Sequence, residues 1–374
     1  MRRMLHAEPE VETDLNQQIL TLSYPLDDTD DLDPLLDRIG DARFVLLGEA
    51  SHGTHEYYLW RARISKRLIE EKGFRFISVE GDWPDCYRVN QYIQGELSDT
   101  TAKDVLHAFE RWPTWMWANW EIVAFTEWLH DYNDGRPPDE KVGFYGLDVY
   151  SLWESLEAIL GYLKDHDPDA LPAAQKAFRC FEPYGEDPQE YARATLFVPE
   201  TCEREVIDLL NTIRQQAASK VDNNATALNA VMNAEVVKGA ETYYRTMVHG
   251  GGTSWNVRDR HMADTLNRLM QFYGADAKAI VWEHNTHIGD ARYTDMASAG
   301  MFNVGELVRQ EHEPAGVVLA GFGSYQGTVI AARQWDAPME VMPVPPARAG
   351  SWERALHDLG AEDRLLLFHR PADT

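Results

Sequence analysis

The stretch Phe44-Val45-Leu46-Leu47-Gly48-Glu49-Ala50-Ser51-His52-Gly53-Thr54-His55-Glu56 sets the reading of the whole chain. Its four apolar residues have the length of a short strand. Their continuous, non-alternating character marks a strand buried on both faces, as in a parallel sheet. A glycine ends the run, a dense set of carboxylate, hydroxyl and imidazole groups follows, and 57–72 then repeats its apolar residues at helical spacing. Strand, polar turn and helix in succession form the repeating unit of an α/β fold. Similar apolar runs recur at 76–79, 142–147, 279–282, 317–320 and 365–368, with amphipathic segments such as 123–132 between them. The expectation is an α/β fold with a mostly parallel central sheet flanked by helices. Residues 151–275 break the alternation. Helices are expected at 152–163, 171–178, 202–220, 225–249 and 259–272, with a loop at 182–199, so this span reads as a large helical insertion. Gly323-Ser324-Tyr325-Gln326-Gly327 predicts a hairpin within 321–333. Residues 1–40 read as an acidic surface segment of helix and loop, and 41–374 as the α/β domain.

Composition narrows the function. The 374 residues carry 35 basic against 61 acidic side chains, a formal charge of −26. Phosphate backbones and anionic membranes attract Lys and Arg, so neither nucleic acid nor a membrane is an expected partner. Three cysteines, Cys86, Cys180 and Cys202, are odd in number and form no CxxC pair, which argues against a disulfide framework or a thiolate zinc site. No apolar run approaches the ~20 residues of a membrane span, and none of signal-peptide length follows Met1. The expectation is a soluble protein of a reducing cytoplasm; oligomeric state stays open.

Ligands of open α/β sheets bind beyond the carboxyl ends of the strands. Here four candidate strands deliver polar clusters to that edge. They are Glu49 to Glu56, Glu80-Gly81-Asp82-Trp83-Pro84-Asp85, Gly146-Leu147-Asp148 and Glu283-His284-Asn285-Thr286-His287. They converge only if their strands are neighbours. Each group also has an ordinary reading. Glu49 alone is a loop carboxylate, Ser51 or Thr54 a helix cap, and His55 a first-turn residue that can point either way. Arg61 falls on the buried stripe of 57–72 with Tyr57, Ile64 and Leu68. A guanidinium there needs a carboxylate partner, Glu49 or Glu80, and either a structural ion pair or oxyanion stabilisation fits. Trp112, Trp115, Trp117 and Trp120 read mainly as core packing, with one or two, Trp117 among them, free to wall a wide apolar cleft. Asp82, Asp148 and His55 are the further candidates for contact with substrate. No GxGxxG or P-loop pattern follows Gly250-Gly251-Gly252.

Five blocks, in order, resemble the erythromycin esterase family: Gly48 to Glu56, Val79 to Pro84, Gly143 to Asp148, Trp255-Asn256-Val257-Arg258-Asp259, and His284 to Asp290. The resemblance runs from about Asp41 to Phe368. It implies an α/β core with a helical insertion, and a metal-independent hydrolase without a cofactor that opens the lactone ring of macrolides. It implies His52 as general base, with Glu49, Arg61, Glu80, His284 and His287 around it. The substrate expected is a small-molecule ester or lactone. Two other readings compete. Glu49-x-x-His52 and His284-x-x-His287 offer N and O ligands for a metal-dependent hydrolase, and the histidines could serve a binding protein for a bulky apolar ligand or haem.

Overall fold

A computed structural model of the chain describes residues 9–185, 187–198, 201–219, 225–360 and 362–368. Its centre is a five-stranded sheet of β2 (Phe44–Leu47), β3 (Phe76–Asp82), β4 (Gly143–Asp148), β5 (Ala279–Trp282) and β6 (Val317–Ala320). These lie in the order β4-β3-β5-β2-β6, and every neighbouring pair is parallel. Two short two-stranded sheets complete the strands. β1 (Ser23–Pro25) pairs antiparallel with β9 (Arg364–Leu366), and β7 (Gly327–Ala331) pairs with β8 (Glu340–Val344). The continuous apolar runs have their physical cause in this layout. Val45, Leu47, Ile77, Val79, Ile280 and Trp282 pack into a core on one face, and Phe44, Leu46, Phe76, Ala279 and Val281 into a second core on the other. The helix His55–Lys72 covers the first face and the helix Thr253–Tyr273 the second.

The insertion is helical, with a core of its own. Leu152, Leu156, Ile159, Phe181, Leu209, Val237 and Tyr244 pack together away from the sheet. Its boundary is earlier than expected, because Met262, Leu266 and Leu269 of Thr253–Tyr273 pack on the sheet itself. The expected loop at 182–199 contains the helix Pro188–Ala194, capped by Asp187 with Pro188 in its first turn. Pro199 lies outside the described residues.

Four other expectations are corrected. The run 317–320 joins the central sheet, and the partner of β7 is 340–344, so Gly323 to Gly327 is no hairpin turn. The run 365–368 pairs outside the central sheet. Residues 33–39 are more than surface, since Leu32, Leu35, Leu36 and Ile39 enter the core. Cys180 and Cys202 form a disulfide, with their Cα atoms 5.8 Å apart, while Cys86 is free and buried. Their separation of 22 residues hides a close approach, Cys180 near the end of the helix Leu171–Phe181 and Cys202 just before Glu203–Ser219. The cysteine-based ground for a reducing cytoplasm therefore falls. Among the described residues no helix is long and apolar enough to cross a membrane.

Candidate active site

The four polar clusters meet because their strands are adjacent: β4, β3, β5 and β2 stand side by side with their carboxyl ends on one edge. The turn after β2 is held tightly there. A Cβ on Gly48 would lie 2.0 Å from Oδ1 of Asn285, and the Asn285 amide N–H donates to the Glu49 carbonyl at 2.8 Å. Gly53 adopts φ +81°, and a Cβ there would meet the Ile330 carbonyl at 2.2 Å. Glycine is the residue that tolerates both demands. Through this contact and the Ile330 N–H to Gly53 carbonyl bond of 3.0 Å, the β7–β8 hairpin rests on the turn after β2.

His52 sits in that turn with its side chain 32% exposed, and its Nδ1 lies 2.7 Å from Glu49 Oε1. An ionised carboxylate is an acceptor, so Nδ1 carries the proton and the neutral imidazole keeps its lone pair on Nε2. Burial lowers the His52 pKa. It is outweighed by the hydrogen bond to Glu49 and by the negative charges of Glu80 and Glu49, so the net shift is upward. Behind it, Glu49 is fully buried and its Oε2 accepts from Arg61 Nη2 at 2.8 Å.

Arg61 is fully buried as well, and its Nε and Nη1 have no hydrogen-bond partner among the described residues. The guanidinium instead lies 4.8 Å from the Tyr58 ring centre and 5.0 Å from that of Trp282. Such π-faces accommodate a weakly hydrated guanidinium. Arg61 is thus fully buried, and its hydrogen bond to Glu49 places it behind the carboxylate that holds His52.

A second histidine group stands on the other side. Glu80 accepts from Arg258 Nη2 at 2.7 Å and from the His284 amide at 2.8 Å. Burial raises its pKa, but His287, Arg258, His52 and that amide outweigh it and hold Glu80 ionised. Arg258 also grips both oxygens of Asp148, at 2.9 and 2.6 Å. His287 is buried between partners. Its Nδ1 is 2.9 Å from Asp259 Oδ1, its Nε2 is 2.9 Å from Arg258 Nη1, and its ring stacks on Trp255 at 4.4 Å between centres. Because arginine can only donate, Nε2 of the neutral ring is the acceptor and its proton resides on Nδ1.

His284 lies between the two groups, its ring centre 5.5 Å from that of His52. Its Nδ1 accepts from the Thr286 amide at 3.3 Å. Burial, helped by the neighbouring His52, lowers its pKa. The two facing imidazoles are thus shifted in opposite directions, His52 upward and His284 downward.

The remaining candidates are placed differently. Asp82 accepts from Arg111, which also reaches Glu154 at 3.3 Å. Burial, with Asp148 opposite it in the β3–β4 register, pushes the Asp82 pKa up to about 6 against the pull of Arg111. Trp117 does not wall the cleft. It is buried, and its indole N–H donates to the Glu80 carbonyl at 2.9 Å, fixing β3 from behind. His55 faces outward in an exposed pair with Glu121. Ser51 is no backbone cap: its hydroxyl contacts the Thr54 hydroxyl at 2.7 Å, and the helix starting at His55 has no side-chain cap. Among the described residues no group of three His, Cys, Asp or Glu side chains is arranged to hold a metal ion.

Arg258 and Asp259 were not singled out from the sequence as site residues. The usable signal was spacing, since Trp255, Arg258 and Asp259 fall at i, i+3 and i+4 and so share one helix face. That face is the one turned to the strand ends.

Comparison with known proteins adds the family. The sequence model of the family described as erythromycin esterase matches residues 69–374. Erythromycin esterase type II of Escherichia coli is 27% identical over 293 residues, covering 71% of this chain and 65% of that protein. The chain thus spans just under two thirds of that relative's length. Among solved structures, a succinoglycan biosynthesis protein matches with a TM-score of 0.75 at 22% identity, covering 94% of this chain and 85% of its own. A mutant erythromycin esterase, EreC, in its open conformation matches at 0.67 and 18% identity, covering 88% and 83%. At those identities the structural likeness is one of fold. The family match begins after Arg61, so the Glu49–His52–Arg61 group stands on its geometry.

Proposed function

We propose, on the premise that the chain belongs to the erythromycin esterase family, that it is a hydrolase that cleaves an ester or lactone by water attack assisted by His52. The observation that carries this reading is the division of labour within one ring: Nδ1 is tied to buried Glu49 at 2.7 Å while the partly exposed imidazole keeps Nε2 for a proton. Nε2 removes a proton from water as the water attacks the ester carbonyl carbon. Glu49, held by Arg61, orients the ring, and Glu49 and Glu80 stabilise the imidazolium that forms. The tetrahedral intermediate then collapses, the carbon–oxygen bond to the alcohol breaks, and His52 returns its proton to the leaving oxygen. His284, facing His52, is the neutral group placed to stabilise charge on the reacting oxygen.

The names of the relatives make a macrolide lactone the first substrate to try, within a screen of esters and lactones followed by mass spectrometry. The reading expects one hydrolysed substrate with a mass gain of one water, and turnover that survives dialysis against a strong chelator. No hydrolysis across the screen would overturn it. Activity lost to the chelator and restored by one particular ion would replace it with the metal-dependent alternative.

A further inference from the structure

Glu283, the residue between β5 and His284, has no task in the mechanism above. It is fully buried, and neither of its carboxyl oxygens has a hydrogen-bond partner among the described residues. Its surroundings are electrostatically hostile to a carboxylate. Glu80 on β3, Asp148 on β4 and Asp259 on the helix Thr253–Tyr273 all act on it with negative charge, and Arg258 opposes them. Each of those groups is otherwise engaged. Arg258 is bound to Asp148, Glu80 and His287. Asp259 gives one oxygen to His287 and the Val304 amide, while its other oxygen is also buried and has no partner among the described residues. His284 and His287, on Glu283's own segment, bond to other residues. An ionised carboxylate without hydrogen bonds or a counter-ion is among the most unfavourable groups a protein interior can hold, and such a group neutralises instead.

We propose that buried Glu283 remains a neutral carboxylic acid at neutral pH, so that it adds no third negative charge to those of Asp259 and Glu80, which lie 2.9 and 3.5 Å from the two His287 nitrogens. With Glu283 neutral, Arg258 stays committed to Glu80 and Asp148 and His287 keeps its proton on the Asp259 side. The catalytic part of this inference rests on the hydrolytic reading; the protonation state does not. Burial, followed by the charges of Glu80 and Asp259, raises the Glu283 pKa well above 4.5. The sign of the linkage follows. Above about pH 4.5 the unfolded chain releases this proton and the folded chain retains it, so its contribution to stability falls as pH rises towards the folded value.

Glu283→Gln removes that dependence without inserting a charge. Its Tm should exceed that of the wild type, by a margin that widens between about pH 5 and about pH 8. The variant should also retain kcat/KM within about threefold of the wild type at neutral pH, less than half of one tenfold step in free energy. Infrared spectroscopy of the wild type supplies a check that needs no variant to fold. Asp82 and Asp85 have pKa values of about 6 and about 7. At about pH 9 both have ionised, and a protonated-carboxyl C=O band should persist in the wild type; its loss in Glu283→Gln separates it from Asp259, whose pKa burial also raises. A Glu283→Gln variant with lower Tm at every pH, or a wild type without that band, would overturn the assignment. If no ester or lactone is turned over while the Tm margin and the band are both found, the hydrolytic reading fails and the protonation state of Glu283 stands.

Discussion

Two histidine–carboxylate–arginine groups share one edge of the sheet, and they are built to opposite ends. In the first, His52 touches Glu49, which touches Arg61; in the second, His287 contacts Asp259 and Arg258 directly. His52 is 32% exposed in its side chain, whereas His287 is 3% exposed and lies under Trp255. The decisive difference is the second ring nitrogen. Arginine is placed behind the carboxylate in the first group, which leaves Nε2 of His52 to accept a proton. In the second it binds Nε2 of His287 itself. Residue types at a sheet edge therefore do not distinguish the two rings; the partner of each nitrogen does.

The sharpest way to break this contrast is to remove each histidine. His52→Ala should lower kcat/KM by about 10²–10⁴-fold, the usual effect of losing a general base, with Tm close to that of the wild type. His287→Ala should reduce Tm, because it leaves Asp259 without its buried partner. If the losses are exchanged, with His287→Ala inactive but fully stable, the roles assigned here are reversed. Arg61→Leu comes next. Breaking a buried ion pair by removing one partner costs roughly 3–5 kcal/mol, so the melting temperature should fall steeply. A normal Tm with abolished turnover would show that Arg61 meets the substrate after all.

Glu49→Gln sharpens the comparison through pH. The raised His52 pKa means that the free base, and with it kcat/KM, is lost as pH falls through that value. The hydrogen bond to Glu49 and its charge are among the causes of the rise. Replacing Glu49 should therefore move the acid limb of the pH profile to lower pH, with a reduced plateau. An unmoved limb would mean that another group titrates there. The smallest effect is expected for Ser51→Ala, whose hydroxyl meets only Thr54 among the described residues. Turnover should stay within a few-fold of the wild type, since one exposed or partly exposed hydrogen bond contributes about 1 kcal/mol. Intact-protein mass spectrometry should detect no acyl adduct; an adduct on Ser51 would replace direct water attack with a nucleophilic serine.

Much of this was legible before the structure. The strand-length apolar runs at 44–47, 279–282 and 317–320 are written in composition because both faces of a parallel sheet are buried. Their polar continuations point to the ligand-binding edge for the same topological reason. Arg61 could be placed on a buried stripe from helical periodicity alone. What failed depended on long-range pairing. The partner of β7 lies beyond an irregular stretch at 332–339, so the nearer glycine-rich sequence misled. The Cys180–Cys202 bond depends on how two helices of the insertion meet, and spacing holds no trace of that. Trp117 reads identically as cleft wall or as core until its indole is seen on the Glu80 carbonyl.

The contrast between the two rings is open to direct observation by ¹⁵N nuclear magnetic resonance of the histidine side chains across a pH titration, with His52 assigned by its loss in His52→Ala. The structure predicts that His52 titrates above the ordinary histidine value, keeps its proton on Nδ1 when neutral and gains the second proton at Nε2. It also predicts that neutral His287 has Nδ1 protonated and Nε2 as hydrogen-bond acceptor. A neutral His52 protonated on Nε2, or one titrating below free histidine, would contradict its assignment as the base that activates water.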